Sequence, residues 1–393
     1  MIGSPRPELI DDPELLAAAR LMRPDLDATE VAARVAWSVL VEPGDGAAGA
    51  LIQALGAAEA LRMAFGDHGP VLPGIVPPRA LNEAVARWRP RARPRAVLDA
   101  LLAAHRVGAR LMLPGDALWP DGLHDLDVHQ PVLLWARGDA DVLGATTAAA
   151  IVGARAATSY GESIGGEIAG DLASGGALVV SGGAYGIDGA AHRAALGVGG
   201  TTAAYLAGGV DRAYPIGHQQ LFDRIRQSGV VLSEVPCGSA PTKWRFLARN
   251  RLIAASTLVT VVVEAGWRSG TLNTAGHASS LGRPLGAVPG PVTSAASAGC
   301  HRLLREFDAV CVTSAQDVRE LWGETPDVST GSPQPGDHDR TRLLDAISFR
   351  TAREPADIAR RSGLSVEQAR SLLGLMALEG VVAQRDGGWV RRE

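Results

Sequence analysis

The stretch AAAIVGARAATSYGESIGGEIAGDLASGGALVVSGGAYGID, residues 148–188, decides the fold class. It predicts a short apolar strand, a turn with glycine and arginine, a helix to about residue 171, a second apolar strand and a glycine-rich turn. Strands that are apolar on both faces belong to a parallel sheet that helices cover on both sides. The same alternation extends over residues 131–312, and it predicts an α/β core with a Rossmann-like, doubly wound, mostly parallel sheet.

Small helices are predicted on the amino-terminal side of this core. Ala, Leu and Val recur at helical spacing in four segments between residues 13 and 110, separated by Gly and Pro. We expect residues 1–115 to form an N-terminal helical (SAM-like) domain and residues 116–322 to form the Rossmann-like domain. For the helical domain, a packing or interaction role is favoured over nucleic-acid binding. Its RWRPRARPR run, residues 87–95, is interpreted as a solvated connector rather than a phosphate-binding strip.

A change of composition marks the carboxyl-terminal part of the chain. Residues 323–339, GETPDVSTGSPQPGDHD, have no periodic apolar pattern, which predicts a flexible linker. Residues 340–393 then show three helical segments and two apolar segments joined at Asp386-Gly387-Gly388, a turn that suits a β-hairpin. Three helices and a two-stranded wing predict a C-terminal winged-helix domain.

The overall composition excludes several classes of protein. Of the 393 residues, 46% are hydrophobic and 20% are charged, which is typical of globular domains rather than disordered or fibrous chains. The chain has no uninterrupted run of about 18 apolar residues and no signal-peptide pattern, so we expect a cytoplasmic protein without a membrane partner. The three cysteines, Cys237, Cys300 and Cys311, are too far apart for a zinc site or a disulfide framework. We expect neither a metal nor a cofactor.

The net charge of −4 gives no global indication of a nucleic-acid partner, so any basic site must be local. Of the 38 basic residues, 37 are arginine and one, Lys243, is lysine, a bias that codon usage in a GC-rich genome explains. The positions of these cations therefore matter more than their number.

Two predicted turns could hold phosphate groups. In open α/β sheets, ligands bind beyond the carboxyl ends of the strands, where glycine turns and helix N-termini present free backbone N–H groups. The first turn contains Gly153 and Arg155, and the second contains Ser181, Gly182 and Gly186. Neither turn matches a dinucleotide fingerprint or a P-loop, so an ATP or dinucleotide site is not predicted.

Two further segments follow later predicted strands. Residues 243–251, KWRFLARNR, carry four cations, two aromatic side chains and an amide, the groups that hold the backbone and bases of single-stranded nucleic acid. A helix with Arg–carboxylate pairs and buried aromatic rings is the alternative. The other segment contains Ser269 and Gly270 at a predicted helix start, a pattern that favours an anion-binding nest.

Acidic residues near these segments have structural rather than catalytic interpretations. Asp188 and His192 are four residues apart on a predicted helix, and a hydrogen bond that braces the turn is favoured over an acid–base couple. Glu264 is interpreted as a partner of Arg249 or Arg251 and not as a catalyst. We therefore predict no catalytic residue.

In this order, the segments resemble the DprA family, also called DNA-processing or Smf proteins. The resemblance spans roughly residues 119–312 and rests on WPDGL, LLWARGD, SGGAYGID, FLARNRLIA, VVVEAGWRSGTLNTA and AVPG. No single motif decides it, but the ordered set is specific. The resemblance implies a Rossmann-like core that binds single-stranded DNA, loads the recombinase RecA, helps to displace single-strand binding protein and acts as a homodimer in natural transformation. It implies no enzymatic activity.

Carried over by motif, the resemblance implies a DNA-binding role for residues of three segments. These residues are Gly153, Arg155, Ser181, Gly182, Gly186, Phe246, Arg249, Asn250 and Arg251. Lys243 and Arg245 belong to residues 243–251 but have no motif assignment. Ser269 and Gly270 come from the later segment, at the predicted helix start. All four are included in the predicted DNA-binding site.

Residues 300–309 depart from the family pattern. Where the pattern has Ser-x-Gly-x-Asn-x-Leu-Ile and then Gly-Ala, this chain has CHRLL at residues 300–304 and FDA at residues 307–309. The asparagine and the second glycine are missing, which puts the binding or packing at this corner in question.

Two other functions compete with the binding of single-stranded DNA. Some enzymes with a related sheet and related glycine loops hydrolyse nucleoside monophosphates. In this chain, however, no carboxylate follows Gly270-Thr271 to act as the acid–base group. A winged helix could instead read duplex DNA in a transcriptional regulator. Its predicted helices offer few base-reading side chains beyond Gln368 and Arg370. A role in protein interaction is therefore at least as well supported for this domain as the reading of duplex DNA.

Overall fold

The computed structural model describes residues 9–66, 74–324, 337–349, 351–378, 380–385 and 387–392. The chain divides near residue 325 into two compact units, each with hydrophobic cores of its own. Most of the expected linker, residues 323–339, lies outside the described residues.

Short helices open the first unit. They are α1 (Pro13–Met22), α2 (Ala28–Leu40), α3 (Gly46–Leu55), α4 (Ala57–Phe65), α5 (Pro78–Trp88) and α6 (Pro94–Arg106). Asp12, Asp27 and Asp45 precede α1, α2 and α3, and each carboxylate accepts hydrogen bonds from the first turn of its helix. Gly56, with φ of +79°, separates α3 from α4, because this conformation ends a helix and suits glycine best.

The described residues of the first unit form a nine-stranded sheet. Its strands are β1 (Arg110–Met112), β2 (Leu134–Gly138), β3 (Ala148–Val152), β4 (Leu178–Ser181), β5 (Thr202–Leu206), β6 (Val230–Ser233), β7 (Val259–Val262), β8 (Leu285–Ala287) and β9 (Val310–Cys311). Their spatial order is β1-β2-β6-β5-β4-β3-β7-β8-β9. Strands β3 to β9 run parallel, while β1 and β2 are antiparallel additions. The direction of winding reverses between β3 and β7, which opens a crevice at the carboxyl ends of these strands.

Helices cover both faces of the sheet. One face carries α7 (Ser159–Ser174), α8 (Ile187–Gly197), α9 (Gln219–Ser228) and α13 (Ala315–Leu321); the other carries α10 (Lys243–Ala255), α11 (Thr271–Ser280) and α12 (Ala298–Glu306). Within β3, Ala149 and Ile151 face one core while Ala150 and Val152 face the other, as the alternation of a strand requires. The predicted Rossmann-like, doubly wound, mostly parallel sheet is confirmed.

The amino-terminal helices share a core with the sheet. Trp37 of α2 lies in the same buried cluster as Trp135 of β2 and Val231 of β6, and the Trp135 Nε1 donates to the hydroxyl of Ser38 at 3.0 Å. Strand β1 begins at Arg110, ahead of the expected boundary at residues 115–116. The buried core therefore crosses that boundary.

The second unit consists of three helices and a hairpin in its described residues. They are α14 (Asp337–Ala346), α15 (Pro355–Ser362), α16 (Val366–Leu378), β10 (Val382–Arg385) and β11 (Gly388–Arg391). Leu343, Ile358 and Leu373 are buried among the helices, and β10 pairs antiparallel with β11. The predicted winged-helix arrangement is confirmed, although Asp386 of the predicted turn lies outside the described residues. No helix within the described ranges combines the length and apolar character needed to cross a membrane.

Candidate functional site

A cavity of about 400 Å³ lies at the carboxyl ends of the strands, where the winding of the sheet reverses. Its wall combines the loops after β3, β4 and β7 with one face of α10. The predicted site residues that line this cavity are Gly153, Arg155, Phe246, Arg249, Asn250, Ser269 and Gly270. Three segments that are distant in the sequence therefore meet at one place.

Two glycines allow the loops after β3 and β4 to lie against each other. A Cβ atom at Gly153 would overlap the side chain of Ile187, and one at Gly186 would overlap the carbonyl group of Ala154. Gly186 also has φ of +70°, a conformation that other residues rarely adopt. The close backbone contact places Arg155, which follows Ala154, at the rim of the cavity.

Glu264 anchors the loop after β3. Its carboxylate accepts hydrogen bonds from the N–H of Thr158 at 2.9 Å and from the hydroxyl of Thr158 at 2.6 Å. Thr158 in turn caps the first turn of α7. The prediction that Glu264 pairs with Arg249 or Arg251 is wrong, because both carboxylate oxygens are bound to Thr158.

Arg249 places a buried positive charge in the wall of the cavity. Its Nη1 donates to the carbonyl oxygen of Tyr205 at 2.6 Å, while its buried Nε has no hydrogen-bond partner within the described part of the chain. Burial lowers the pKa of Arg249 to about 10, so the guanidinium remains charged at neutral pH. Gly182 leaves room for this group, because a Cβ atom there would overlap the guanidinium.

Asp188 is a buried carboxyl group that also lines the cavity. Burial raises its pKa, and the positive charge of Arg249 opposes that effect. Asp188 accepts a hydrogen bond from the Ala184 N–H at 3.3 Å, so it braces the glycine turn after β4. His192 is not its partner, because the Nδ1 of His192 lies 2.7 Å from the hydroxyl oxygen of Thr202. The predicted Asp188–His192 hydrogen bond is therefore not formed.

An aromatic ring and a second guanidinium stand together at the rim. The guanidinium carbon of Arg155 lies 4.4 Å from the centre of the Phe246 ring, which is a cation–π contact. Asn250 donates to the carbonyl oxygen of Gly270 at 3.4 Å, and this bond links α10 to the loop after β7. The rim thus places a permanent cation over one face of an aromatic ring.

Arg245 and Arg251 are not part of the cavity wall. Arg251 is buried in an ion pair with Glu234, with 2.7 Å between Nη2 and Oε1, and Arg245 binds Glu42 with 2.8 Å between Nε and Oε2. Successive helical residues are about 100° apart, so Arg249 and Arg251 leave α10 on nearly opposite sides. The placement of Arg245 and Arg251 gives no support to the prediction that they contact DNA.

Ser181 and Lys243 also lie outside the cavity wall. Ser181 is buried at the end of β4, and its hydroxyl donates to the carbonyl oxygen of Ile151 at 2.7 Å. Lys243 is exposed at the first residue of α10. Ser181 therefore ties β4 to β3, whereas Lys243 faces solvent.

The cavity includes residues that the sequence analysis did not single out. The hydroxyl of Thr271 donates to the carbonyl oxygen of Gly153 at 2.9 Å, which joins the loops on either side of the crevice. The other newly found residues of the wall are Val152, Ala154, Ala156, Ala184, Leu247, Ile253 and Thr274. On α10 the spacing of Phe246, Arg249 and Ile253 is that of one helical face. This spacing could have identified Arg249, rather than Arg245 or Arg251, as the arginine that shares a face with Phe246.

At the corner formed by residues 300–309, Cys300 and Leu303 are buried in the core despite the departure from the family pattern. Cys300 is buried, with its Sγ 3.6 Å from the carbonyl oxygen of Val262. Asp308 has φ of +53°, the left-handed conformation that glycine adopts most readily. Asp308 thus takes the conformation expected for the glycine of the family pattern.

The fold and the cavity define a Rossmann-like protein with a cleft of arginine, glycine and aromatic residues at its topological switch point. Among the described residues, no cluster of three or more His, Cys, Asp or Glu side chains could hold a metal ion. Comparison with known families gives the particular assignment. The chain belongs to the DprA family: the model of DNA recombination-mediator protein A matches residues 110–323, and that of the DprA winged helix domain matches residues 328–388.

Individual relatives agree with this assignment. A Mycobacterium tuberculosis protein described as DNA processing protein DprA is 46% identical over 308 residues, which cover 74% of this chain and 79% of the relative. Protein Smf of Escherichia coli is 36% identical over 253 residues, covering 62% of this chain and 67% of the relative. The X-ray structure of DprA from Streptococcus pneumoniae aligns with a TM-score of 0.60 at 31% identity, covering 74% of this chain and 96% of that one. The resemblance found in the sequence is confirmed.

Proposed function

We propose that this chain binds single-stranded DNA in the cavity at the carboxyl edge of the sheet and loads a RecA recombinase onto that strand. Membership of a family of DNA recombination mediators supports the type of ligand. The observation that carries the proposal for the site is the buried guanidinium of Arg249, whose Nε has no hydrogen-bond partner among the described residues.

A buried cation favours an anionic ligand, because an unpaired charge is costly to hold away from water. Burial is the main cause of the lowered pKa of Arg249, the buried Asp188 carboxyl group offsets part of it, and Arg155 adds a second positive charge at the rim that repels Arg249. A phosphate group between the two guanidinium groups relieves this repulsion. It also accepts charge-assisted hydrogen bonds, which are roughly twice as strong as neutral ones.

Phe246 supports a single strand rather than a duplex. Its ring lines the cavity, and a base can stack on it only when that base is not enclosed in a double helix. Stacking tolerates every base, so we expect little sequence preference. The ligand is thus defined by its backbone charge and by its unpaired bases.

The site is tested by anisotropy titration of the full chain with labelled oligothymidylate and with a hairpin duplex. Arg155→Ala should weaken single-strand binding by about tenfold or more, since hydrogen bonds to charged groups contribute about 1.5–3 kcal/mol. It should also reduce the salt slope of log K by about 0.7. The matched control is Arg305→Ala, which removes an exposed arginine of α12 and should leave both values unchanged. Wild-type affinity for Arg155→Ala would reject the site, and equal affinity for the duplex would reject the preference for single strands.

RecA loading, homodimer formation and displacement of single-strand binding protein form the finer part of the proposal, supported by the family resemblance. The test measures RecA ATPase on single-stranded DNA coated with single-strand binding protein. The chain should shorten the lag before RecA activity begins, and an unchanged lag at saturating chain would reject the loading role. Sedimentation velocity tests the homodimer.

The geometry does not favour hydrolysis of a nucleoside monophosphate. Glu264 is bound through both oxygens to Thr158, and Asp188 braces the turn at Ala184. Both carboxyl groups thus hold the loops in place. Release of free base from nucleoside monophosphates would overturn this interpretation.

A further inference from the structure

An exposed aromatic side chain follows each of the five parallel strands from β3 to β7. Each lies in the loop after its strand or in the first turn of the next helix, so all of them belong to the carboxyl edge of the sheet. Along the spatial order β6-β5-β4-β3-β7, these residues are Trp244, Tyr214, Tyr185, Tyr160 and Trp267. We call this set the aromatic row.

Contacts account for only part of the surface of the aromatic row: the Tyr160 hydroxyl donates to the carbonyl oxygen of Pro289 at 2.7 Å, and the guanidinium carbon of Arg302 lies 5.3 Å from the centre of the Trp267 ring. The chain has eight tryptophans, all within the described residues, and only Trp244 and Trp267 are exposed, at 65% and 57% of their surfaces. In the described part of the first unit, Phe307 is the one further aromatic residue that is comparably exposed. Single exposed aromatic residues are normal, but a set gathered on one edge indicates a binding surface.

The aromatic row is continuous with the cavity. The ring centres of Tyr214 and Phe246 are 5.5 Å apart, and Phe246 lines the cavity. Trp244 precedes Phe246 by two residues on α10, and Trp267 precedes the cavity residue Ser269 by two residues. Trp244 therefore flanks the cavity at the first turn of α10, on the side of the helix away from Phe246, and Trp267 flanks it in the loop after β7.

Each end of the aromatic row also carries a positive charge. Lys243 adjoins Trp244 and Arg268 adjoins Trp267, and both cations are exposed. Aromatic rings with a cation at either end complement a flexible polyanion with flat, unpaired bases. The charge pattern thus matches the ligand of the proposed function.

We propose that a DNA strand bound in the cavity continues along the aromatic row in both directions, with bases stacked on Trp244 at one end and on Trp267 at the other. This inference rests on the proposed single-stranded-DNA site. The five strands that precede the aromatic row span four inter-strand spacings of about 4.8 Å, or about 19 Å in all. At about 3.4 Å per stacked nucleotide, roughly six nucleotides cover that distance.

The test compares Trp244→Ala, Trp267→Ala and the double variant in anisotropy titrations of the full chain with dT12. Each single variant should weaken binding by about five- to one-hundred-fold, since a base stacked on an aromatic ring contributes that much. The salt slope should stay at the wild-type value, because stacking releases no counterions. Trp244→Phe and Trp267→Phe retain a stacking face and should recover most of the affinity.

A matched control and a length series separate this inference from the proposed function. Phe349→Ala removes an exposed aromatic residue of the second unit and should leave dT12 affinity unchanged. The wild type should gain affinity from dT4 to dT12, and the double variant should gain less. If the double variant binds dT12 as tightly as the wild type, the aromatic row is refuted while the cavity stands; if the wild type does not bind dT12 at all, the proposed function itself fails.

Discussion

Replacement of Gly182 by alanine tests whether Arg249 is held where the cavity requires it. A methyl group at residue 182 would overlap the guanidinium of Arg249, and Gly182 does not have a positive φ that would add strain of its own. The guanidinium must then move away from the carbonyl oxygen of Tyr205, to which it donates at 2.6 Å. A hydrogen bond to a charged group contributes about 1.5–3 kcal/mol. Gly182→Ala should therefore lower the free energy of unfolding by about that amount.

Gly182→Ala should weaken DNA binding as well, because the displaced guanidinium no longer faces the cavity. A loss of similar size corresponds to roughly ten- to one-hundred-fold in the dissociation constant. Urea denaturation followed by tryptophan fluorescence measures the stability, and anisotropy with dT12 measures the affinity.

Gly276→Ala on α11 is the matched control for Gly182→Ala. A Cβ atom at Gly276 meets no heavy atom of the described residues within 4 Å, so the substitution should stabilise the chain by about 0.4–1 kcal/mol and leave DNA binding intact. If Gly182→Ala has the stability and the affinity of the wild type, the contact with Gly182 does not position Arg249 and the reasoning is refuted.

Three further substitutions test the internal contacts around the site. Arg251→Ala leaves Glu234 largely buried without its partner and should cost about 3–5 kcal/mol in urea denaturation; a cost below about 1 kcal/mol would contradict the assigned ion pair. Glu264→Gln replaces one acceptor oxygen by an amide that cannot accept from Thr158, and it should lower the free energy of unfolding by about 1–3 kcal/mol, whereas unchanged stability would show that the loop is held otherwise. Burial lowers the pKa of His192 in the folded chain to about 3, whereas the imidazole of an unfolded chain has a pKa of about 6.5. The unfolded chain therefore takes up a proton on this ring more readily, and the stability falls as the pH drops from about 6.5 to 3. His192→Gln should flatten this dependence by up to about 1.4 kcal/mol per pH unit, and identical slopes for both chains would count against a neutral buried histidine.

Much of the fold follows from local patterns in the sequence. The apolar strands around residues 148–152 and 178–181 are recognisable because both of their faces are buried, and this leaves an uninterrupted apolar run. The elements that escaped prediction have weaker local signals. Strand β1 is three residues long and exists through its pairing with β2, and α5 begins at Pro78 directly after Pro77, a pair that is as typical of a turn as of a helix start.

The candidate site was predictable as a set of loops but not as a set of contacts. Parallel strands place their carboxyl ends at one edge, so the turns with Gly153 and Gly186 had to come close. Which side chains enter the cavity depends on groups from distant parts of the chain. Glu264 meets Thr158 rather than an arginine, because the loops after β3 and β7 flank the point where the winding reverses.

The sequence by itself determined the class of fold, the order of the strands along the chain, the winged-helix unit and the family. It also placed glycine and arginine at the carboxyl ends of the strands. Only the tertiary structure decided the roles of Arg249 and Arg251, which are two residues apart in one motif. The helical twist turns one into the cavity and the other toward Glu234, and no local pattern contains the position of that carboxylate.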